Sequence, residues 1–217
     1  LREFKFAQKA KIPFMTSDDG AIFSVSETTY YLLDENRLSK DEIKLLVHND
    51  ILPFNPNQTR KVPPILMLPR GISKHHCVLN YSKAYSASYV DIYCFGEESD
   101  ETIILNLWLF YNSTVGWLLR EINGRKNLGG GLLKAEAVDL ETIPAYLNID
   151  KKNEIQRILQ RIEKRKALNT IDEIDTPEHK DIDKIIFDYL EMPIKDRSRI
   201  VDKLKSKLIE REGKARS

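Results

Sequence analysis

The sequence predicts an α+β fold in which short strands come first and helices follow. Up to about residue 148, short runs rich in β-forming residues alternate with Gly, Pro and Asn. From residue 149 onward glycine nearly disappears, and apolar residues recur at helical spacing. We therefore expect two parts, a domain over residues 1–148 and a helical segment over residues 149–217.

The composition is that of a folded, soluble protein, because 41% of the 217 residues are hydrophobic and 31% are charged. No apolar run approaches the roughly 18 to 20 residues that a membrane span needs, and no secretory signal follows Leu1. Cys77 and Cys94 lie in apolar, strand-like contexts and are expected to be buried free thiols. These features predict a cytoplasmic protein with no membrane partner. Because residue 1 is not Met, we also expect the chain to begin inside a longer protein.

Strands are predicted where β-branched and aromatic residues cluster between turn-forming residues. Prolines bracket the most apolar of these runs, which lies in front of a basic loop. The predicted strands cover residues 21–25, 63–69, 77–80 and 88–95.

Two helices are predicted within the first part of the chain. Ser39-Lys40-Asp41-Glu42 is a capping box, which favours the start of a short helix. After the acidic loop 97–101, residues 103–122 are too long for one strand. The spacing of Leu105, Trp108, Leu109 and Asn112 predicts a buried helix that follows a short strand.

Three further helices are predicted in the tail. Ile155, Ile158, Leu159 and Ile162 form an apolar stripe that indicates a helix over residues 151–167. Thr176-Pro177 is an N-cap followed by proline at the first helical position, and a third helix follows near residues 200–208. We expect these stripes to pack on the body or on each other. The alternative is that one of them binds a partner.

Catalytic and metal-binding patterns are absent from the sequence. Gly129-Gly130-Gly131 fits neither a dinucleotide loop nor a phosphate-binding loop, and no zinc-ligand cluster exists. Adjacent His75 and His76 point in different directions on a strand and make a poor metal pair. Glu178-His179-Lys180-Asp181 fits the first turn of a helix better than a nuclease site.

Basic residues are concentrated between residues 60 and 134, where nine Lys or Arg face six Asp or Glu. Four of those six acids lie in the loop 97–101. The formal net charge of the chain is only +1, so a nucleic-acid surface requires this kind of local clustering. Loops that carry Arg, Lys and Asn suit phosphate and base-edge contacts, although such loops are also found simply solvated.

A glycine-rich stretch, Gly124-Arg125-Lys126-Asn127-Leu128-Gly129-Gly130-Gly131-Leu132-Leu133-Lys134, continues through Asp139-Leu140 to Ile143-Pro144. It resembles part of the target-recognition region of TaqI-like adenine-N6 DNA methyltransferases and is the most specific of several matching segments. The resemblance covers most of the chain from about residue 60 to the end. The other matching segments are residues 63–72, 84–93, 106–113, 182–188 and 214–217.

The glycine-rich element is also similar to type I restriction specificity subunits, in which a segment of the form Leu-x-x-Ile-Pro precedes a spacer helix. Leu140-Glu141-Thr142-Ile143-Pro144 and the helix predicted at 151–167 follow that order. The resemblance implies an α+β recognition domain, with a twisted mixed sheet and packed helices, that inserts loops into a DNA groove.

The resemblance implies sequence-specific recognition of double-stranded DNA within a restriction–modification system. The parent enzyme would flip an adenine and methylate it with S-adenosylmethionine. This chain lacks the cofactor-binding and Asn-Pro-Pro-aromatic motifs, and Asn55-Pro56-Asn57 is not a match. We therefore expect no cofactor in this chain, no catalytic residue, and an N-terminal catalytic domain of the same polypeptide as its partner.

Six residues are carried over by position as DNA-facing. Arg125 and Lys126 are assigned mainly to phosphates, while Asn127 and the loop 70–76 are candidates for base edges. Asn127 has the alternative of capping the glycine-rich loop, and Lys74 that of being solvated. The six residues are Arg70, Lys74, His75, Arg125, Lys126 and Asn127.

A second function stays open, that of a specificity or protein-docking module of a restriction–modification complex. It would use the C-terminal helices to bind other subunits. The stripe of the helix at 151–167 discriminates between the two functions, because a solvent-exposed stripe would favour docking. An independent nuclease is disfavoured, since no acidic cluster has metal-ligand spacing.

Overall fold

The structure is a computed structural model that describes residues 11–14, 23–25, 30–33, 37–48, 63–72, 74–83, 89–93, 100–125, 133–145, 148–163 and 165–213. Its strands are β1 Lys11–Phe14, β2 Ser24–Val25, β3 Tyr30–Leu33, β4 Leu66–Pro69, β5 Gly71–Ile72, β6 Val78–Asn80, β7 Tyr89–Ile92 and β8 Leu133–Lys134. Its helices are α1 Lys40–His48, α2 Glu101–Tyr111, α3 Thr114–Asn123, α4 Ala137–Leu140, α5 Lys152–Ile162, α6 Thr170–Ile174, α7 Pro177–Tyr189 and α8 Ile194–Gly213.

A four-stranded mixed sheet lies at the centre of the fold, with the strand order β2-β6-β4-β7. β4 is antiparallel to both of its neighbours, and β2 is parallel to β6. Every residue of β4 is buried, as expected for an apolar run in the middle of a sheet. Two smaller antiparallel pairs, β1 with β3 and β5 with β8, complete the strands. The predicted α+β class is confirmed.

The short strand predicted at the start of residues 103–122 is wrong, because α2 already begins at Glu101. The Asp100 side chain accepts a hydrogen bond from the Thr102 N–H at 2.6 Å, which makes Asp100 an N-cap. Asp100 and Glu101, the last two residues of the acidic run, therefore start a helix. The predicted buried helix itself is confirmed, but it continues as two helices rather than one.

Asn112 and Ser113 separate α2 from α3, which are bent by 66°. The Asn112 Oδ1 accepts from the Cys77 N–H at 2.7 Å, and its Nδ2 donates to the Cys77 and Trp108 carbonyls. The Ser113 hydroxyl then accepts from the Gly116 N–H and caps α3. This corner therefore fixes the direction of α3 relative to the strand that follows Cys77.

Among the described residues, no single helix is long and apolar enough to cross a membrane. Taken together, α2 and α3 are long and apolar enough for a membrane span by length and composition alone, despite the bend between them. Leu105, Trp108 and Leu109 of α2 are nevertheless buried within the protein's own core.

The main hydrophobic core is built from residues that lie between Phe23 and Ile186 in the sequence. It joins the sheet to α2, α5 and α7. The stripe predicted for the helix at 151–167 is confirmed, since Ile155, Ile158, Leu159 and Ile162 are all buried, but the helix itself is shorter than predicted and ends at Ile162. Residues on both sides of position 148 thus contribute to one core. A second cluster, formed by Trp117, Ile174, Leu204 and Leu208, joins α3, α6 and α8.

Local capping signals in the sequence are confirmed. The Ser39 hydroxyl accepts from the Glu42 N–H, and the Glu42 carboxylate accepts from the Ser39 N–H at 2.7 Å. The Thr176 hydroxyl accepts from the His179 N–H, with Pro177 in the first turn of α7. The third tail helix is longer than predicted, because α8 starts at Ile194.

Candidate nucleic-acid interface

Three separate segments of the chain meet side by side at one edge of the structure. Gly71 of β5 pairs with Lys134 of β8, and Arg125 forms an isolated antiparallel bridge with the other side of Lys134. Two backbone hydrogen bonds, of 2.8 and 3.1 Å, join Arg125 and Lys134. The Ala135 N–H donates to the Arg70 carbonyl at 2.9 Å. Arg70, Arg125 and Lys134 are therefore brought together, and we call these three residues the basic edge.

Gly124 permits the close approach that forms the basic edge. Its N–H donates to the Arg120 carbonyl at the end of α3, and the chain then turns into the bridge at Arg125. A Cβ at this position would lie 2.8 Å from the Arg120 oxygen and 2.9 Å from Leu133 Cδ1. Only glycine fits there without displacing backbone atoms.

Two carboxylates partly neutralise the basic edge. Arg125 Nε lies 3.0 Å from Asp139 Oδ1, and Lys134 Nζ lies 2.8 Å from Glu136 Oε1. Arg70 Nε is 3.8 Å from the other oxygen of Glu136, which is a weaker contact. The hydrogen bond from Lys134 lowers the pKa of Glu136, and the backbone N–H of Glu136, followed by Arg125, lowers the pKa of Asp139. Three cations thus face two charged carboxylates.

The cations of the basic edge remain accessible to a ligand. Their side chains are 40%, 55% and 43% exposed for Arg70, Arg125 and Lys134. Ion pairs between exposed groups contribute only about 0 to 1 kcal/mol, so a phosphate oxygen can replace the carboxylate partner. Arginine and lysine at such positions suit contacts to a phosphate backbone.

Of the six residues predicted to face DNA, Arg70 and Arg125 lie at the basic edge. Lys126 and Asn127 lie outside the described residues. Lys74 is half-buried, and its Nζ donates to the Ala167 carbonyl at 2.9 Å, so it ties the loop after β5 to the segment before α6. This anchoring differs from both the DNA contact and the free solvation considered for Lys74.

The DNA-facing assignment of His75 does not fit its place in the structure, because His75 is only 1% exposed. Its Nε2 lies 2.9 Å from Glu121 Oε1, and its backbone N–H donates to the Thr170 hydroxyl. Burial lowers the pKa of His75 from 6.5 to about 4, so the ring is neutral at neutral pH. A buried neutral ring cannot contact DNA in this conformation, so we assign His75 to the interior.

His75 belongs to a buried group of polar residues that spans distant parts of the sequence. Arg211, near the end of α8, places its Nη2 3.0 Å from Glu121 Oε1 and donates from Nη1 to the Ile72 carbonyl at 2.8 Å. The Glu121 side chain is fully buried between Arg211 and His75. We call His75, Glu121 and Arg211 the interior network.

Further polar side chains surround the interior network. Arg120 is fully buried and donates to the Pro69 and His76 carbonyls, so it holds the end of β4 and the loop before β6. Trp117 lies between the His75 ring at 5.8 Å and the His179 ring at 4.3 Å. These contacts give Arg120, Trp117 and His75 a structural role.

Sequence reasoning missed the parts of the edge that depend on tertiary pairing. Lys134 is one of the nine cations between residues 60 and 134 and ends the most specific matching segment, but β8 has only two residues and no strand pattern. Glu136 and Asp139 form a capping box at α4, so a spacing signal for them did exist.

The described residues contain no group of three or more His, Cys, Asp or Glu side chains placed to hold a metal ion. Cys77 is buried as predicted, and burial raises the pKa of its thiol to about 12. A thiol that stays protonated at neutral pH is a poor nucleophile. Cys94 lies outside the described residues.

Comparison of the chain with protein-family models, with curated proteins and with solved structures finds no match.

Proposed function

We propose that this chain is the DNA target-recognition part of an S-adenosylmethionine-dependent adenine-N6 DNA methyltransferase of a restriction–modification system. The observation that carries the proposal is the basic edge, in which three segments far apart in sequence present Arg70, Arg125 and Lys134 together. Two of its cations, Arg125 and Lys134, bound the glycine-rich stretch that most resembles this family.

The chemistry of the basic edge favours a phosphate backbone as its ligand. Arg70 and Arg125 offer planar guanidinium groups that can bind phosphate through two nitrogens, and Lys134 offers a point charge. Phosphate contacts of this kind set the register of a protein on duplex DNA, and neighbouring loop residues then contact the bases. Methyl transfer itself would require the catalytic domain and its cofactor, so this chain supplies recognition and positioning.

The docking alternative depended on an exposed apolar stripe on α5. Ile155 and Ile162 are fully buried, while Ile158 and Leu159 are 3% and 4% exposed. The stripe already packs in the protein's own core, so it is not available to another subunit. We therefore retain DNA recognition as the proposed function.

The test is a fluorescence-anisotropy titration of mixed-sequence duplex DNA with a triple variant, Arg70→Gln, Arg125→Gln and Lys134→Gln, at several salt concentrations. Each lost phosphate contact should reduce the slope of log affinity against log salt by about 0.9. The control variant carries Lys40→Gln, Lys44→Gln and Arg157→Gln, which remove the same charge from exposed positions on α1 and α5. It should bind nearly as the wild type does.

A third variant gives an effect of opposite sign. Glu136→Gln removes the carboxylate that contacts Arg70 and Lys134, so it should strengthen DNA binding at low salt. If the edge only maintains the fold, Glu136→Gln will leave DNA affinity unchanged. Failure of the wild-type chain to bind duplex DNA even at low salt would contradict the proposed function.

A further inference from the structure

A row of cations runs along α8. Lys195, Arg199, Lys203 and Lys207 recur every four residues, and we call them the α8 row. Each step of four residues advances about 6 Å along a helix and turns about 40° around it. Burial follows this rotation, because the first three side chains are exposed, Lys207 is half-buried, and the next residue in the series, Arg211, is buried.

The lysines of the α8 row differ from other cations of the C-terminal region that pair with carboxylates. Arg165, in the segment between α5 and α6, forms a two-point contact with Glu173, and Lys205 of α8 itself lies 2.8 Å from Asp175. Within the part of the chain that the structure describes, Arg199 pairs only with Asp196 of its own helix, and no ion pair holds the three lysines of the row.

The charge of α8 is unbalanced as a whole. It carries seven Lys or Arg residues against four Asp or Glu residues, whereas the complete chain has a net charge of only +1. Positive charge is therefore concentrated on this helix. Arg197, Arg199 and Lys205 each pair with a carboxylate, but no ion pair among the described residues uses the three lysines of the row. A concentrated positive surface attracts a polyanion.

α8 is held firmly against the body, so its row has a fixed position. Leu204 and Leu208 are fully buried beside Trp117 and Ile174. At the C-terminal end, Arg211 donates to the Ile72 carbonyl of β5. β5 pairs with β8, which ends at Lys134 of the basic edge. The C-terminal end of the row is thus anchored to the same strand pair that carries the basic edge.

We propose that the α8 row is a second DNA-binding surface, which contacts the phosphate backbone and extends the contact made by the basic edge. The inference rests on the proposed function. The four cations span about 18 Å along the helix axis, which corresponds to about five base pairs of duplex. Contacts of lysine to phosphates carry no sequence information, so the row strengthens binding to any duplex.

The test uses the complete chain and a quadruple variant, Lys195→Gln, Arg199→Gln, Lys203→Gln and Lys207→Gln, in the same anisotropy titration. If all four cations contact phosphates, the slope of log affinity against log salt should decrease by about 3 to 4. A control variant, Lys40→Gln, Lys44→Gln, Arg157→Gln and Lys166→Gln, removes four exposed cations elsewhere. Lys44 pairs with Asp41 on its own helix, as Arg199 does with Asp196. The control should change the slope by less than about 1.

The outcomes separate this inference from the proposed function. If the row variant binds DNA as its control does while the basic-edge variant loses affinity, the α8 row is not a DNA-binding surface and the proposed function stands. If the wild-type chain binds no DNA at low salt, both are overturned. If the row is needed for binding to vesicles that contain phosphatidylserine but not for binding to DNA, the row belongs to a membrane-facing surface and the inference is wrong.

Discussion

The protein places arginine in two contrasting settings, the interior network and the basic edge. Arg211 is 8% exposed and bonds both the Glu121 carboxylate and a backbone carbonyl of β5. Arg125 has a side chain that is 55% exposed, and one carboxylate, Asp139, holds it. The first arginine connects the last helix to the sheet region, whereas the second is available for exchange with a ligand.

The difference shows that basic residues in one short stretch can have unrelated roles. Arg120 and Arg125 are five positions apart, yet Arg120 is completely buried and Arg125 lies on the surface. α3 ends between them, and the turn at Gly124 takes Arg125 out of the helix. A count of positive charge along the sequence therefore combines residues that maintain the fold with residues that can bind DNA.

The largest expected effect is that of Arg211→Met, which should lower the free energy of unfolding by about 3 to 5 kcal/mol. The substitution leaves the buried Glu121 carboxylate without its arginine partner. Arg125→Met is the matched control and should cost less than about 1 kcal/mol, because its ion pair is exposed. Urea unfolding of both variants measures the difference. Equal losses of unfolding free energy in the two variants would show that Arg211 of the interior network contributes no more to stability than Arg125 of the basic edge.

The next effect concerns the corner that positions α3 and therefore Glu121. A Cβ on Gly116 would lie 2.2 Å from the Phe110 carbonyl oxygen, so Gly116→Ala must displace α2 or α3. We expect a loss of about 1 to 3 kcal/mol in unfolding free energy, as is typical of overpacking. Gly213→Ala at the end of α8 meets no atom within 4 Å and serves as control. The melting temperature of Gly213→Ala should match that of the wild type. A similar drop in melting temperature in both variants would contradict the steric argument for Gly116.

Much of the fold follows from local rules, and those parts were predicted from the sequence. The capping box at Ser39, the Thr176-Pro177 start of α7 and the apolar stripe of α5 each depend on residues within a few positions of one another. The start of α2 was missed because the N-cap, Asp100, belongs to an acidic run that resembles a loop. The acidic composition, which is typical of a loop, masked the N-cap signal of Asp100.

The candidate site was harder to predict because distant residues create it. His75 and Glu121 are 46 positions apart, and Arg211 bonds a carbonyl 139 positions away. No local pattern marks these partners, so His75 resembled an exposed polar residue of a basic loop. The two-residue strands β5 and β8 are likewise too short to show alternation. Arg70 and Arg125 were identified as basic loop residues, but the strand pairing that brings both of them next to Lys134 depends on the tertiary structure.

The last prediction uses acid to separate the two buried histidines from the basic edge. Burial lowers the pKa of His75 from 6.5 to about 4 and that of His76 from 6.5 to about 3. Below pH 6.5 the unfolded chain binds protons that the folded chain does not, so stability is lost as pH falls towards these folded-state values. Each histidine should contribute about 1.4 kcal/mol of loss per pH unit in this window.

His76→Asn tests this origin of acid sensitivity, because the asparagine amide can still donate to the Lys74 carbonyl that His76 Nδ1 contacts. Urea unfolding at pH 7, 6 and 5 should show a shallower decline for His76→Asn, by about 0.7 kcal/mol between pH 7 and 6 and about 1.2 kcal/mol between pH 6 and 5. His48→Asn, the same change at an exposed position of α1, should leave the pH-dependent decline in stability unaltered. Parallel curves for the wild type and both variants would contradict the assignment of acid sensitivity to His76.

The ion pairs of the basic edge should be lost only at lower pH, because the pKa values of Glu136 and Asp139 are lowered from 4.5 and 3.8. Acid near pH 5 therefore lowers the free energy of unfolding through the buried histidines, while the carboxylates that compete with DNA for the basic edge stay charged.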